Sequence, residues 1–252
     1  MTKKSSIDYN ELNKFYKTSN EWWEELGEFK ILHNINPVRL KYITKKITDH
    51  FGICDLAKND QNPLINLNVI DIGCGGGLIS IPICKLGANV TAIDANNNHD
   101  IGEFFVRIKK NGLKINFIHA TVEDYLNLNP NNLYDVVLCL EVLEHVDNQS
   151  EFIQNLLKLL KPNGILLLST VNRTIKSYAQ VIIAAEYILK WLPINTHSYS
   201  KFLKPSEIYN TIKQDNFFFK DLTGLKFNAF TGHWYLSNDI SVNYFACIAL
   251  SS

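Results

Sequence analysis

Long apolar runs and runs of like charge are both missing from this 252-residue sequence. No stretch approaches the roughly 18 uninterrupted apolar residues expected of a membrane-spanning helix, so we expect no transmembrane segment. Lys plus Arg and Asp plus Glu each number 25, and without a basic face the chain is expected to bind no nucleic acid. This balance of charge favours small molecules as partners.

Paired cysteines are also missing. The five cysteines are odd in number and include no C-x-x-C pair, which argues against a disulfide framework and against a structural zinc site. The lysines near the start are followed by Asp8 and Glu11 rather than by an apolar segment, so no secretory signal is expected. These absences favour a protein of the reducing cytoplasm.

The residues that are present can bury one sizeable core, since 46% are hydrophobic and 20% are charged. We therefore expect a single domain over residues 1–252. From residue 67 onward, short β-branched runs alternate with helical patterns, which is typical of an α/β fold with a mostly parallel sheet and helices on both faces. Seven strands are predicted, at residues 67–72, 88–94, 115–119, 134–140, 165–170, 219–228 and 242–250.

The chain around this sheet divides into four parts. We expect an N-terminal helical extension and loop over residues 1–66, a cofactor-binding core over 67–172, an insertion over 173–204, and C-terminal strands that complete the sheet over 205–252. Helical patterns cover residues 9–50, 78–86 and 151–160, and Lys161-Pro-Asn-Gly164 ends the last of these.

A glycine-rich turn from Asp71 to Gly77 follows the first predicted strand. Gly73 and Gly75 lack Cβ atoms, so a ligand can approach the main chain there. Asp94 ends the second strand, where a carboxylate can accept hydrogen bonds from the two ribose hydroxyls of an adenosine. A turn that merely connects strand to helix is the alternative, but together with Asp94 the turn favours a nucleoside site.

The residues around the glycines predict which nucleoside cofactor binds. A dinucleotide fingerprint would place a third glycine at Leu78, so NAD is disfavoured. Asp71, before the first glycine, suits a cationic ligand, and S-adenosylmethionine carries an ammonium group and a sulfonium. The D-x-G-x-G-x-G pattern resembles motif I of the class I methyltransferases, which implies S-adenosylmethionine as cofactor and a Rossmann-like fold.

The fourth predicted strand runs into Leu140-Glu141-Val-Leu-Glu144-His145. Leu140 is placed to contact the cofactor. Glu141, Glu144 and His145 are spaced i, i+3 and i+4, so a helical turn would bring them to one face. They could hold a divalent metal, His145 could act alone as a general base, or the segment could be a structural connection. The residues by themselves leave these alternatives open.

Longer segments resemble the ubiquinone-biosynthesis O-methyltransferase family. The resemblance runs in order through Trp22 to Ile43, Ser169 to Ser177, Ala185 to Leu189, Thr196 to Pro205, Gly224-Leu225 and Val242 to Tyr244. It implies methylation of polyprenyl catechols, namely 2-polyprenyl-6-hydroxyphenol and 3-demethylubiquinol, and adds Arg39 to Gly73, Asp94 and Leu140 as cofactor contacts. Asn34 and Ile31 depart from the family's usual arginine and proline.

The resemblance also favours the metal hypothesis for Glu141, Glu144 and His145, with Mg²⁺ or Zn²⁺ as the ion, because family members are described as needing one. A phenol with a pKa of about 10 must lose its proton before it can attack a sulfonium methyl group. A metal ion or a base at this place in the fold would remove that proton.

The insertion contains a candidate membrane contact at residues 178–192. Tyr178, Ile182, Ala185, Leu189 and Leu192 form a helical stripe, and charged residues including Glu186 interrupt the apolar run. This pattern favours a helix that lies on a membrane surface, although a helix packed on the core is equally compatible. We expect a cytoplasmic enzyme peripheral to the inner face of the membrane, with a biosynthetic complex as a further candidate partner.

Two other functions compete with this one. The chain could methylate a soluble acceptor, or it could bind the cofactor without activity and serve as an assembly partner.

Overall fold

The computed structural model describes residues 23, 24, 27, 30–53, 62–96, 100–188 and 196–251. Their centre is one eight-stranded sheet in the order β3-β2-β1-β4-β5-β8-β6-β7. The strands are β1 (Asn68–Ile72), β2 (Asn89–Asp94), β3 (Ile115–His119), β4 (Tyr134–Leu140), β5 (Leu160–Val171), β6 (Phe217–Asn228), β7 (His233–Ser237) and β8 (Asn243–Leu250). Strands β1 to β5 pair in parallel, and β8, β6 and β7 extend the sheet antiparallel.

Helices connect and flank these strands. The α-helices are α1 (Lys30–Phe51), α2 (Ser80–Lys85), α3 (Asp100–Lys110), α4 (Val122–Leu128), α5 (Gln149–Leu157), the single turn α6 (Ile175–Ser177) and α7 (Pro205–Ile212). A π-helix (Tyr178–Ile188) continues α6, and 3-10 turns lie at Leu143–His145, Tyr199–Lys201 and Lys213–Asp215. No helix in the described ranges is long and apolar enough to cross a membrane.

The central strands are covered on both faces, which explains their continuous apolar runs. Successive side chains of β4 point to opposite sides of the sheet. Val137 and Cys139 accordingly pack into one buried cluster, and Val136 and Leu138 pack into another. The two clusters fix the sheet as the middle layer of the fold.

Helix α1 is held against the antiparallel half of the sheet. The Tyr42 ring stacks on Phe245 of β8 with centroids 4.8 Å apart, and the Tyr42 hydroxyl donates to Asp221 Oδ2 of β6 at 2.8 Å. Three residues earlier in the helix, Arg39 is buried as well. The packing of α1 on the sheet therefore places the buried guanidinium group of Arg39 near the parallel strands.

The mostly parallel α/β sheet with flanking helices is confirmed, but the expected count of seven strands is wrong. The additional strand is β7, which pairs only with β6 at the sheet's edge. None of its residues is fully buried, so its sequence lacks the apolar alternation of a half-buried strand. Of the predicted N-terminal helix, residues 9–22 lie outside the described part of the chain, and the described helix begins at Lys30.

The insertion differs from the expected α-helix. Residues Tyr178–Ile188 form a π-helix, whose i→i+5 hydrogen bonds place residues five apart on one face. The predicted stripe at α-helical spacing therefore does not form over the described residues, and Leu189 and Leu192 lie outside them. Tyr178 and Ile183, five positions apart, are each 43% exposed, and Ile175 just before them is 86% exposed.

Candidate active site

The predicted site residues gather at the carboxyl ends of the parallel strands. The order of the strands reverses between β1 and β4, and ligands of open α/β sheets bind outside the strands' carboxyl ends at such a switch point. The glycine-rich turn follows β1, Asp94 ends β2 and Leu140 ends β4. One edge of the sheet therefore holds all three.

The glycine-rich turn adopts a backbone that only glycine accepts readily. Gly73, Gly75 and Gly77 have φ angles of 71°, 49° and 79°, in the left-handed region. A Cβ on Gly73 would lie 2.5 Å from Val142 Cγ2, and one on Gly77 would lie 2.1 Å from the Phe104 ring. The glycines are thus required both by the turn and by their neighbours.

Asp94 ties the turn to the second strand. Its Oδ2 accepts the Gly75 N–H and its Oδ1 accepts the Asn96 N–H, each at 2.8 Å. Burial raises the pKa of Asp94, although these two hydrogen bonds favour the charged form. Each carboxylate oxygen has a second lone pair, so the same group can accept a hydroxyl hydrogen bond.

Arg39 and Asp71 are both buried near the turn and interact through their charges. Asp71 Oδ2 accepts the Ser80 hydroxyl at 2.5 Å, and burial raises the pKa of Asp71 to about 6 against the opposing effects of Ser80 and Arg39. Arg39 is 4% exposed, and burial lowers its pKa against the opposing charges of Glu141 and Asp71. The charges of Glu141 and Asp71 therefore both favour the charged form of Arg39.

Arg39 also has a buried hydrogen-bond donor that no described residue engages. Its Nη2 donates to Asn36 Oδ1 at 3.2 Å, whereas its buried Nε has no hydrogen-bond partner within the described ranges. Buried polar atoms are nearly always satisfied, so an orphan one indicates a ligand or water at that place. An anionic group is the partner that a guanidinium would take.

The chain before β1 covers the turn. Asn36 Nδ2 of α1 donates to the Leu78 carbonyl at 2.9 Å, and Trp23 Nε1 donates to the Gly76 carbonyl at 3.0 Å. The Arg107 guanidinium lies 4.0 Å from the centre of the Trp23 ring. Trp23 and Asn36 therefore connect the N-terminal part of the chain to the turn's backbone.

The fourth strand ends in an abrupt change of direction at Glu141, whose φ is 57°. The Ser169 hydroxyl donates to Glu141 Oε1 at 2.7 Å, and the Glu141 N–H donates to the Ser169 carbonyl at 3.1 Å. The helical turn predicted to align Glu141, Glu144 and His145 is wrong, because the only helical residues here are the 3-10 turn Leu143–His145. Glu141 is turned toward β5.

Glu144 is buried at the centre of the site and is 2% exposed. Its Oε2 accepts the Thr170 hydroxyl at 2.7 Å, while its Oε1 has no hydrogen-bond partner in the described part of the chain. Burial, followed by the charge of Glu141, holds the pKa of Glu144 well above its usual range. This carboxyl group is poised to take up a proton or a cation.

Glu144 has two histidine neighbours. Ligand atoms of Glu144, His145 and His197 all lie within 4.8 Å of one another, and the two imidazole centroids are 5.9 Å apart. His197 comes from the part of the insertion that follows the π-helix, and its Nδ1 and backbone N–H each lie 3.0 Å from Glu186 Oε1. Glu186, expected on the polar face of a surface helix, is instead 1% exposed.

Comparisons with known proteins identify the family. Residues 39–217 match the methyltransferase domain family. The ubiquinone biosynthesis O-methyltransferase of Rickettsia felis is 50% identical over 97% of this chain and 94% of its own length, and that of Rickettsia prowazekii is 51% identical over 97% and 91%. This chain belongs to the ubiquinone biosynthesis O-methyltransferase family. It is an S-adenosylmethionine-dependent O-methyltransferase.

Solved structures share the methyltransferase's fold. The magnesium protoporphyrin IX methyltransferase of Synechocystis with bound S-adenosylhomocysteine has a TM-score of 0.65 at 19% identity, over 97% of this chain and 100% of that one. The plantazolicin methyltransferase has a TM-score of 0.55 at 17% identity, over 96% and 99%. At these identities the likeness bears on the fold alone, and it confirms the Rossmann-like class I architecture.

Several residues of the candidate site were not predicted from the sequence to lie there. They include Trp23, Asn36, Ser80, Glu186 and His197. Asn36 precedes Arg39 by one helical turn, and that spacing could have indicated the contact between them. The local sequence did not indicate that Glu186 and His197 lie in the site, because Glu186 has the pattern of a solvated residue in an amphipathic stretch.

Proposed function

We propose that this methyltransferase acts on the phenolic hydroxyl of polyprenyl catechols, namely 2-polyprenyl-6-hydroxyphenol and 3-demethylubiquinol. The observation that carries the proposal is the group formed by buried Glu144 and half-buried His145 and His197. Such a group can hold or discharge the proton of a phenol. The relatives' role in ubiquinone biosynthesis supplies the acceptor class, since the intermediates of that pathway are phenols with an isoprenoid tail.

The proposed position of the cofactor follows from two features. One is the buried Arg39 Nε, which has no hydrogen-bond partner among the described residues, and the other is the glycine-rich turn. Arg39 Nε would pair with the methionine carboxylate, and Asp71 would favour the ammonium group. Gly73 and Gly75 would let the backbone approach the nucleoside, and Asp94 would accept the ribose hydroxyls. Leu140, buried at the end of β4, would contact the cofactor's apolar surface.

S-adenosylmethionine supplies an electrophilic methyl carbon, and in-line attack forms the C–O bond as the C–S bond breaks. The chain's own residues must remove the phenolic proton, whose pKa of about 10 is too high for spontaneous loss near neutral pH. His145, which lies beside Glu144 and His197, is a general base for this step.

A divalent cation would fit the same residues. The orphan Glu144 Oε1 and the neighbouring imidazole of His145 are donors of the kind that bind such ions, and Glu141 lies close enough to raise the pKa of Glu144. When bound, the cation supplies positive charge that lowers the pKa of a phenol. Glu141, Glu144 and His145 are proposed to hold it, with Mg²⁺ or Zn²⁺ as candidates.

Turnover on a short-tailed catechol tests the function. With S-adenosylmethionine present, we expect methylated product, loss of at least about a hundredfold in rate in excess chelator, and recovery with Mg²⁺ or Zn²⁺. Full activity in excess chelator would leave His145 as the base without a metal. Tight binding of S-adenosylhomocysteine without any methyl transfer would contradict the enzyme hypothesis and favour an assembly partner of a biosynthetic complex.

We also propose that residues 1–252 form one domain that docks peripherally on the cytoplasmic face of the inner membrane through the insertion. Ile175, Tyr178 and Ile183 present apolar side chains to solvent, and the acceptor's tail resides in a bilayer. An interfacial helix buries such side chains at the headgroup boundary. Lipid contact at this place would bring the catechol ring within reach of the site.

Vesicle flotation tests the docking. Replacing Tyr178 and Ile183 by serine is expected to lower partitioning onto phospholipid vesicles by about tenfold or more, because two apolar contacts with the bilayer are lost. The matched control is Leu128→Ser, which removes a 78% exposed leucine at the end of α4. Equal partitioning of the double variant and the control would favour a soluble acceptor.

A further inference from the structure

We infer that Asn36 is a positioning residue of the cofactor site, which holds the Arg39 guanidinium in the orientation that receives the amino-acid carboxylate of S-adenosylmethionine. The inference deepens the proposed function and rests on its contact between Arg39 and that carboxylate. It gives Asn36 a role confined to the amino-acid half of the cofactor. That restriction can be measured by ligand binding alone, without methyl transfer.

Asn36 lies between Arg39 and the glycine-rich turn. It precedes Arg39 by three residues in α1, and this spacing places the two side chains on one face of the helix. Asn36 Oδ1 accepts a hydrogen bond from Arg39 Nη2 at 3.2 Å, and Asn36 Nδ2 donates to the Leu78 carbonyl at 2.9 Å. One amide group therefore contacts both the buried guanidinium and the backbone next to Gly77.

The Leu78 carbonyl is available to Asn36 because of Pro82. The carbonyls of the residues before and after Leu78 each accept the N–H four residues ahead, at 3.0 and 3.1 Å. By the same pattern Leu78 would pair with residue 82, but a proline has no N–H to donate. The Asn36 side chain supplies the missing donor, so the start of α2 has a fixed place for it.

The two contacts require the two different ends of one amide group. Arg39 offers only N–H donors and needs an acceptor, whereas the Leu78 carbonyl needs a donor. Asparagine provides one of each, while an aspartate would turn a second oxygen toward the carbonyl. The same two partners assign the orientation of the amide, with Oδ1 toward the cation.

The contact with Asn36 sets the direction of the remaining donors of Arg39. A guanidinium is planar and rigid, so a hydrogen bond at Nη2 restricts rotation of the whole group. The buried Nε has no hydrogen-bond partner among the described residues. Asn36 therefore orients a donor that a bound carboxylate can engage. Because the group is ordered before the ligand arrives, less conformational freedom is lost on binding.

The binding of two ligands to the purified full chain tests this role. S-adenosylhomocysteine contains the amino-acid group, whereas 5′-methylthioadenosine has the same nucleoside and a thioether but no carboxylate. Asn36→Leu removes both amide contacts and should weaken S-adenosylhomocysteine binding by at least about tenfold, which is the effect of losing a hydrogen bond to a charged group. The affinity for 5′-methylthioadenosine should stay unchanged. The matched control Asn34→Leu, at an exposed position of the same helix, should bind both ligands like wild type.

A double-mutant cycle shows whether Asn36 acts through Arg39. Arg39→Lys alone should weaken S-adenosylhomocysteine binding, and adding Asn36→Leu should weaken it little further, because residues that act through one contact are not additive. Equal loss of both ligands in Asn36→Leu, or additive losses in the cycle, would overturn the inference and leave Asn36 as a structural link between α1 and the turn. Asn36→Ala replaces Asn36→Leu if the leucine variant does not fold.

Two further outcomes separate this inference from the proposed function. Wild-type affinity for S-adenosylhomocysteine in Asn36→Leu, together with a loss in Arg39→Lys, would overturn the inference and leave the contact of Arg39 standing. The expected binding pattern without any methyl transfer to a catechol would support the inference and count against the function.

Discussion

Replacing Arg39 with methionine is expected to weaken binding of the cofactor strongly. Loss of one partner of a buried charge pair costs about 2–5 kcal/mol of binding energy, so the affinity for S-adenosylhomocysteine should fall by at least about thirtyfold. The proposed carboxylate contact of Arg39 Nε disappears, and Asp71 and Glu141 lose the cation that lies near them. Titration calorimetry measures the effect.

The stability of the protein should fall in the same variant. Asp71 and Glu141 lose a cation that offsets their charge, and Asn36 loses a hydrogen-bond donor, so we expect the free energy of unfolding to fall by about 1–3 kcal/mol. Lys41→Met is the matched control, because it removes an exposed cation from the same helix. It should bind S-adenosylhomocysteine like wild type.

Arg39→Lys distinguishes a lost contact from a lost fold. Lysine keeps the positive charge for Asp71 and Glu141 but lacks the planar fork of a guanidinium. We expect a melting temperature close to that of wild type together with at least about tenfold weaker binding. Wild-type affinity in both Arg39 variants would contradict the proposed contact with the cofactor carboxylate.

Gly77→Ala is expected to cause the second large loss. The φ of Gly77 is 79°, which costs an alanine about 1–2 kcal/mol. The added Cβ would lie 2.1 Å from the ring of fully buried Phe104, and overpacking of this kind costs a further 1–3 kcal/mol, roughly. The melting temperature should fall by about 4–20 °C, and cofactor affinity should fall with it as the turn shifts.

Gly112→Ala is the control that isolates the Phe104 contact. Gly112 has a φ of 63°, and a Cβ there would meet no atom within 4 Å. Its alanine variant therefore carries the backbone strain without the clash and should keep its cofactor affinity. Equal melting temperatures for the two variants would show that Phe104 yields without cost, contrary to the prediction.

Local sequence pattern was sufficient for most of the parallel sheet. Strands β3 and β4 lie at their predicted bounds, and β1 and β2 begin one residue later than predicted. Strands β1 and β4 are buried along most of their length, so their apolar runs are nearly unbroken and are bounded by turn residues. Strands β3 and β7 lie at the two edges of the sheet and contain no fully buried residue. The β-branched residues of β3 still indicated a strand, whereas β7 contains none.

The sequence by itself determined the glycine-rich turn. Glycines in the left-handed region and an acid at the end of the next strand are local requirements, so the turn at Gly73 and Gly75 and the position of Asp94 beside it could be predicted from spacing alone. Family resemblance added Arg39, and the tertiary structure added the reason for its burial, which is the packing of α1 on β6 and β8.

Only the tertiary structure decided which groups lie around Glu144. Spacing predicted Glu141, Glu144 and His145 on one helical face, but the left-handed backbone at Glu141 interrupts that turn, and the Glu141 side chain contacts both Ser169 and Glu144. Glu186 and His197 reach the site because the insertion folds back against the turn after β4. Periodicity records which face of an element is apolar, and it carries no information about which distant segments pack together. The glycine-rich turn could therefore be predicted from the chain, whereas the surroundings of Glu144 required the fold.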